Sequence, residues 1–153
     1  MKQLLLLACL LAATLIKAQP FLSFSTTTNG IGLSAGFLEP QSGIEIATGY
    51  NMPVLSATKP HLFIMQAGKR ILLTQNEEDN FTITPTIGYA NYTMKDLSNY
   101  YGKEATGTRE KIKQIKAIVG LELGKDWYLG RLFINANYCG TAFYGLGIRA
   151  FIK

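Results

Sequence analysis

The C-terminal stretch of the chain, residues 141–153 (TAFYGLGIRAFIK), alternates between two kinds of side chain. Successive residues of a β-strand point to opposite faces of the sheet, so the alternation separates these side chains onto two faces. One face is apolar and the other carries glycines and charges: Ala142, Tyr144, Leu146, Ile148, Ala150 and Ile152 against Gly145, Gly147, Arg149 and Lys153. A strand between lipid and the polar interior of a transmembrane β-barrel needs this arrangement.

The same alternation recurs from Gln19 onward, in short segments separated by turn residues, which is typical of an all-β sandwich or barrel. Eight strands are predicted, at residues 21–28, 31–38, 44–52, 61–74, 81–93, 112–124, 127–138 and 141–153. Closure of a sheet pairs every backbone group, which is the condition for a sheet to cross hydrocarbon. We therefore predict a closed, eight-stranded, antiparallel up-and-down transmembrane β-barrel.

Three places leave the strand assignment open. Lys69 falls among the apolar residues of strand four while Arg70 lies opposite, and a bulge near Gly68 would change this register. Pro85 removes one ladder hydrogen bond from strand five, so a bulge or a weakly paired site is expected there. Residues 109–119 also fit a helical spacing, but the Gly-Leu-Glu-Leu-Gly alternation that follows favours the strand.

The first 18 residues are expected to be a cleaved secretory signal peptide, which leaves residues 19–153 as the barrel domain. Lys2 precedes an unbroken apolar run over residues 4–16, and Ala18 is a small residue suited to cleavage. The run is shorter than the roughly 20 residues of a spanning helix. Cys9, in the sequence LLAC, resembles a lipobox, but it lies too early in the run for lipidation to be expected.

The composition argues against several classes of function. Removal of the signal peptide takes away two lysines and no acid, which lowers the net charge from +5 to +3. No basic patch is interleaved with aromatic residues, as a nucleic-acid partner would require. Cys139 is then the single cysteine and His61 the single histidine, so neither a disulfide nor a metal cluster is expected. We expect no catalytic residue, no cofactor and no metal.

Charges of both signs collect on the inward faces of the predicted strands. They are Glu45, Lys116, Glu122, Arg131 and Arg149, with either Lys69 or Arg70. Unpaired burial of a charge is unfavourable, so these groups are expected to pair. The two alternatives are a salt-bridged plug and an ion path or gated relay, and we favour the plug because side chains just fill an eight-stranded barrel.

The connection lengths predict which way the barrel points. With the amino terminus inside, residues 39–43, residues 75–80 and the turn at Lys125 and Asp126 face the periplasm and are short. The longest connection, residues 94–111, faces outward, as is typical of such barrels. Aromatic residues near strand ends suggest interfacial girdles: Tyr50, Tyr89, Tyr92, Trp127, Tyr128, Tyr138 and Tyr144.

The signal peptide, the eight alternating strands and the closing pattern from Tyr144 to Ile152, with Phe151 near the end, resemble the small eight-stranded outer-membrane β-barrel proteins of Gram-negative bacteria. The resemblance covers residues 19–153 in pattern. It implies a place in the cell outer membrane, contact with its lipid, and a final strand recognised by the barrel-insertion machinery. That strand usually ends in an aromatic residue, whereas this chain continues past Phe151. The family has roles in envelope integrity, surface adhesion or host interaction, and only a few members are enzymes.

Three functions are compared. The first is a non-enzymatic outer-membrane barrel whose external loop, with Tyr100 and Tyr101, contacts an unknown extracellular partner; a solvated loop without a partner is an equal alternative. The second is a soluble secreted lipocalin-like barrel that binds a small apolar ligand. The polar face disfavours it, because a water-facing surface is about 25–35 % charged. The third is a membrane-embedded enzyme using His61, Ser56 and Asp96, which nothing in their spacing supports.

Overall fold

A computed structural model of the chain describes residues 18–54, 61–74, 80–95, 111–127 and 130–152. Their regular structure is β-strand throughout, and within these ranges no helix is long and apolar enough to cross a membrane. The expected signal peptide, apart from its last residue, Ala18, lies outside the described residues. So do Tyr100 and Tyr101 of the candidate contact loop, and Ser56 and Asp96 of the enzyme hypothesis.

The described residues form nine strands: β1 (Gln19–Thr27), β2 (Gly30–Leu38), β3 (Ile44–Met52), β4 (His61–Lys69), β5 (Ile71–Leu72), β6 (Asn80–Lys95), β7 (Lys111–Trp127), β8 (Gly130–Tyr138) and β9 (Ala142–Phe151). All pairs are antiparallel, and pairing of β1 with β9 and of β4 with β6 closes the sheet. Both β4 and β5 pair with β6, so together they form one barrel strand. The predicted closed, eight-stranded up-and-down barrel is confirmed.

The break between β4 and β5 leaves the register unchanged. Pairing with β6 resumes at Ile71 in the register it had at Gly68, because equal numbers of residues lie between the paired positions on both strands. The register around Gly68, which the sequence leaves open, therefore contains no bulge, and strict alternation leaves Lys69 exposed on the outer wall and turns Arg70 inward. The interrupted pairs include the position of Pro85, which has no N–H to donate, so the weak pairing expected there is confirmed.

Strand β7 is longer than predicted at both ends. It continues through Lys125 and Asp126 to Trp127, all paired with neighbouring strands, so the predicted turn at Lys125 and Asp126 is wrong. The helical alternative for residues 109–119 is also wrong for its described part, because every residue from Lys111 onward pairs with β6. Cross-strand pairing outweighs the local helical spacing in this segment.

The outer wall is apolar and the interior is polar or charged. Large apolar side chains on the wall are exposed, among them Leu33 at 60 %, Val119 at 50 % and Leu146 at 51 %. Polar and charged side chains are buried inside: Ser23, Glu45, Asn51, Thr82, Thr84, Glu122, Arg131, Asn137 and Arg149. A lipocalin-like barrel has the opposite arrangement, with apolar residues around an internal ligand, so the structure contradicts that alternative.

The two ends of the barrel differ. Gln19 and Phe151 lie at one end, called here the terminal end; the connections at residues 53–60 and 96–110 belong to the opposite end, the loop end. Exposed aromatic residues mark both borders of the apolar wall: Tyr50, Tyr138 and Tyr144 towards the loop end, and Trp127 at the terminal end. Tyr89 is also exposed on the wall, and Tyr128 lies outside the described residues. Tyr92 was predicted to join a girdle, which is wrong: it shares the inward face of β6 with Thr82 and is buried.

Candidate functional site: the barrel interior

Six charged side chains form a closed ring of alternating sign in the terminal half of the interior. In ring order they are Arg70, Asp126, Arg131, Glu122, Arg149 and Glu45, and the nitrogen–oxygen distances between successive members are 3.2, 3.6, 3.2, 3.0, 3.0 and 3.8 Å. Three positive and three negative groups make the ring neutral. We call it the ionic ring.

The ionic ring connects strands that are not neighbours in the sheet. Arg149 on β9 donates to Glu45 on β3 and to Glu122 on β7, both at 3.0 Å. Its Nε also donates to the hydroxyl of Ser23 on β1 at 3.0 Å. Arg149 therefore contacts side chains of three other strands, and its interactions hold opposite sides of the barrel wall together.

Arg131 is the most enclosed member of the ionic ring. Its side chain is fully buried, and Nη2 donates to the hydroxyl of Thr84 on β6 at 3.3 Å. Gly124, opposite Phe133 in the sheet, leaves the space that the guanidinium occupies, because a Cβ built on Gly124 would overlap Arg131 Nε and lie 2.7 Å from Cζ. A glycine is thus required beside the buried arginine.

Gly124→Ala is therefore expected to destabilise the folded barrel by about 1–3 kcal/mol, because the methyl group displaces a guanidinium that is held by two carboxylates. Gly32→Ala is the matched control, since a Cβ there would approach only the hydroxyl of Ser25 closely, at 2.6 Å, and that hydroxyl can rotate away. Urea unfolding of both variants in lipid vesicles measures the difference. Equal effects of the two substitutions would contradict the fixed position of Arg131.

Aromatic rings enclose the arginine heads of the ionic ring. The guanidinium carbon of Arg149 lies 4.3 Å from the ring centroid of Phe21 and 5.3 Å from that of Phe133, which is cation–π distance. The guanidinium carbon of Arg70 lies 5.2 Å from the ring centroid of Phe151, which also meets Phe21 edge to face. Phe151 therefore belongs to the interior and not to the lipid-facing wall.

A second, apolar layer fills the loop half of the interior. Its buried members are Leu62, Ala90, Tyr92, Ile118, Cys139 and Phe143. The hydroxyl of Tyr92 lies 3.0 Å from the carbonyl oxygen of Cys139 and 2.8 Å from its Sγ, so the one polar group of the Tyr92 side chain has partners. Lys116 lies here as well, with Nζ 5.0 Å from the centroid of Tyr92. We call this group the Tyr92 cluster.

Uncharged polar side chains separate the two layers. Along β4, Gln66 lies between Leu62 of the Tyr92 cluster and Arg70 of the ionic ring. Along β8, Asn135 occupies the same intermediate level. A cavity of about 70 Å³ lies at this level, lined by Ser25, Ser34, Asn51, Gln66, Asn135 and Asn137 among others. This volume accommodates a few water molecules and not a larger solute.

The structure brings together most of the residues that the sequence analysis assigned to the interior. Four of the five meet in the ionic ring: Glu45, Glu122, Arg131 and Arg149. Of Lys69 and Arg70, it is Arg70 that faces inward and joins the ionic ring. Lys116 points inward as predicted but lies apart from the ionic ring, over Tyr92. Asp126 was missed because it was assigned to a turn; its even-numbered spacing from Glu122 was the signal that could have placed it on the same face.

His61 contacts the aromatic side chain of Tyr50. It lies at the loop end of the outer wall, where Nδ1 is 2.7 Å from the hydroxyl oxygen of Tyr50. The two rings also lie near each other, with centroids 5.9 Å apart. This contact fits an interfacial aromatic pair, and the other two residues of the enzyme hypothesis lie outside the described ranges.

Comparisons with known proteins bear on the fold. No family model matches the sequence, and the search of curated proteins gives no match. The structure is similar to a de novo designed transmembrane β-barrel, with a TM-score of 0.53, 10 % identity and coverage of 89 % of this chain and 96 % of that one. It is also similar to the crystal structure of Neisserial surface protein A (NspA), with a TM-score of 0.58, 12 % identity and coverage of 88 % and 94 %. The chain has the fold of a small outer-membrane β-barrel.

The barrel fold and the apolar outer wall both indicate a location in a membrane. An exposed apolar surface that surrounds a whole barrel is not compatible with water, whereas it matches the hydrocarbon of a bilayer. The outer-membrane barrel fold supplies the kind of membrane. The predicted location in the outer membrane is therefore confirmed.

Proposed function

We propose that this protein is a non-enzymatic outer-membrane barrel whose interior is a closed plug and which acts in the cell envelope through its loop end. The observation that carries the proposal is the neutral ionic ring, in which each charged group meets two groups of opposite sign. Within the ionic ring, every charged group therefore already has partners of opposite sign in place of a passing ion.

The layered interior supports a plug over an ion path. An ion entering from the loop end would first meet the Tyr92 cluster, and an apolar constriction resists the passage of hydrated ions. Beyond the polar middle layer it would meet the ionic ring. There the guanidinium groups of Arg70 and Arg149 lie against the rings of Phe21, Phe133 and Phe151. Passage would require the separation of buried ion pairs, which is strongly unfavourable.

Purified protein reconstituted into a planar lipid bilayer is accordingly expected to give no stepwise conductance. A porin in the same chamber provides the positive control for insertion and recording. Heat-modifiable gel mobility of the reconstituted sample shows that the barrel is folded. Resolved, reproducible conductance steps from the folded protein would overturn the plug and favour the ion path.

The β6–β7 hairpin supports a role for the loop end. These strands pair from Asn80 opposite Asp126 to Lys95 opposite Lys111, whereas β8 pairs with β7 only from Trp127 to Val119. The hairpin therefore extends beyond β8 at the loop end, and residues 96–110 connect its two strands in the chain. Loops that a rigid scaffold presents in this way commonly carry binding, so Tyr100 and Tyr101 are the proposed contact residues.

The orientation is tested by protease treatment of intact cells. Residues 96–110 contain Lys103 and Arg109, and trypsin is expected to cleave there without lysis if the loop end faces outward. The barrel fragments should stay together as a folded, heat-modifiable species, because both cleavage sites lie in the chain between β6 and β7 and leave these strands uncut. Replacement of Lys103 and Arg109 by glutamine is the control and should remove the cleavage. Cleavage only after the envelope is opened would show that the loop end faces the periplasm, contrary to the proposed orientation.

A further inference from the structure

The side of β7 that faces β8 is only partly paired. Pairing between these two strands ends at Val119 opposite Tyr138, whereas β7 itself begins at Lys111. In the part of the chain that the structure describes, residues 111–118 therefore pair with β6 on one side and with no strand on the other. We call this second side the open β7 edge. We propose that it binds an extended, acidic peptide segment of a partner protein as an added β-strand.

The backbone groups that face the open β7 edge follow from the hydrogen bonds of the sheet. The carbonyl oxygen of Phe81 accepts from the N–H of Leu73, so the backbone groups of Phe81 point away from β7. Strand alternation gives Asn91, ten residues further along β6, the same direction. Ile115 lies directly opposite Asn91, and in an antiparallel pair such residues either bond to each other or both point away. The N–H and C=O of Ile115 therefore face the open β7 edge.

The open β7 edge lies beyond the apolar wall. Tyr138 marks the border of that wall at the loop end, and residues 111–118 continue for roughly 26 Å of strand past the pair that it forms with Val119. Ile115 is 74 % exposed there, so an apolar side chain accompanies the unpaired backbone. A row of unpaired N–H and C=O groups on a sheet edge is a template for another extended chain.

The charge of the segment selects the kind of chain that can pair with it. Residues 111–118 (KIKQIKAI) contain three lysines, Lys111, Lys113 and Lys116, and no acid. Opposite charges on neighbouring strands stabilise a pair, whereas like charges directly opposite each other destabilise it. An added strand that carries glutamate or aspartate is therefore favoured over a neutral or a basic one.

The same lysines disfavour a second copy of this chain as the occupant. Two copies in one membrane have the same orientation, so a symmetric contact between their β7 edges would be parallel and would place identical residues side by side. Each lysine would then face a lysine. Lysines on an edge strand are also a common protection against aggregation.

The binding experiment uses the native protein in lipid nanodiscs and two fluorescein-labelled peptides of equal length. In one peptide valine alternates with glutamate, and in the other valine alternates with lysine. Fluorescence anisotropy is expected to show saturable binding of the glutamate peptide and at least about tenfold weaker binding of the lysine peptide. In the cell this docking rests on the proposed outward direction of the loop end. Nanodiscs expose both ends of the barrel, so the binding result does not depend on it.

Two variants of Ile115 separate backbone pairing from general charge attraction. Ile115→Pro removes an N–H that faces the open β7 edge and leaves the bonds to β6 in place, because proline is tolerated on an edge strand. It is expected to weaken binding of the glutamate peptide about tenfold, the loss that one hydrogen bond and a disturbed strand pair produce. Ile115→Val keeps the N–H and a β-branched apolar side chain, and should change the affinity less than about twofold. Heat-modifiable mobility shows that both variants are folded.

Three results would overturn the proposal: no binding of the glutamate peptide, equal binding of the two peptides, or equal affinities of the two variants. Self-association of the native protein in detergent that Ile115→Pro abolishes would place a second copy on the open β7 edge and would also overturn the acidic partner. Trypsin treatment of intact cells tests the orientation separately, so failure of the docking and failure of the orientation are distinct outcomes.

Discussion

Arg149→Met is expected to destabilise the folded barrel by about 3–5 kcal/mol, because removal of one partner leaves buried charges uncompensated. Arg149 donates to both Glu45 and Glu122, and these two carboxylates are themselves buried. Without the guanidinium, the ionic ring keeps three acids and two arginines in the buried interior of the barrel. Methionine preserves much of the length and volume of the arginine stem, so the effect reports mainly on charge.

The measurement is equilibrium unfolding in urea with the protein in lipid vesicles, followed by the fluorescence of Trp127. Arg149→Met with Glu122→Gln restores neutrality and is expected to recover part of the loss, and the double-mutant cycle with the single variants gives the coupling between the two groups. Lys69→Met is the control, because it removes an exposed charge from the wall and is expected to change stability by less than about 0.5 kcal/mol. An equally small effect of Arg149→Met would contradict a buried, paired ring.

Ile134→Arg is expected to destabilise the barrel by about 2–4 kcal/mol, the range for arginine at the midplane of a lipid-facing wall. Ile134 is the central residue of β8, is 53 % exposed on the wall and lies beside Leu123 and Leu146. In the membrane this exposed surface faces acyl chains, so a guanidinium there must be desolvated or must reach a distant headgroup.

Tyr138→Arg is the matched control for the same strand and the same face. Tyr138 is 56 % exposed but lies at the loop end of β8, where arginine is expected to cost only about 0–1 kcal/mol beyond the loss of the tyrosine. The two free energies of unfolding, measured in the same vesicles, give the depth dependence directly. If the two substitutions are tolerated equally well, the wall does not face a bilayer.

Several parts of the fold could be predicted from the sequence because they depend on local alternation. The prediction of a strand at residues 44–52 coincides with β3 (Ile44–Met52), and the inward direction of Glu45 follows from the same period of two. Strand ends were less accurate. A Lys-Asp pair is a reasonable turn on composition alone, yet Asp126 pairs with Asn80 on β6, and this contact keeps it in the sheet.

The contacts of the interior required the tertiary structure. Arg149 and Glu45 are 104 residues apart in the chain, and only closure of the barrel brings them to 3.0 Å. Lys116 has the same direction as Glu122, but it lies nearer the loop end, where its ammonium lies over the ring of Tyr92.

Local alternation of residue types is enough to set the two faces of each strand, and with them a wall for lipid and a polar interior, because the direction of a side chain in a strand depends only on its position along that strand. The tertiary structure alone decided which interior charges meet and in what order. That order depends on the stagger between strands when the sheet closes, and stagger is a property of strand pairs that no single segment contains.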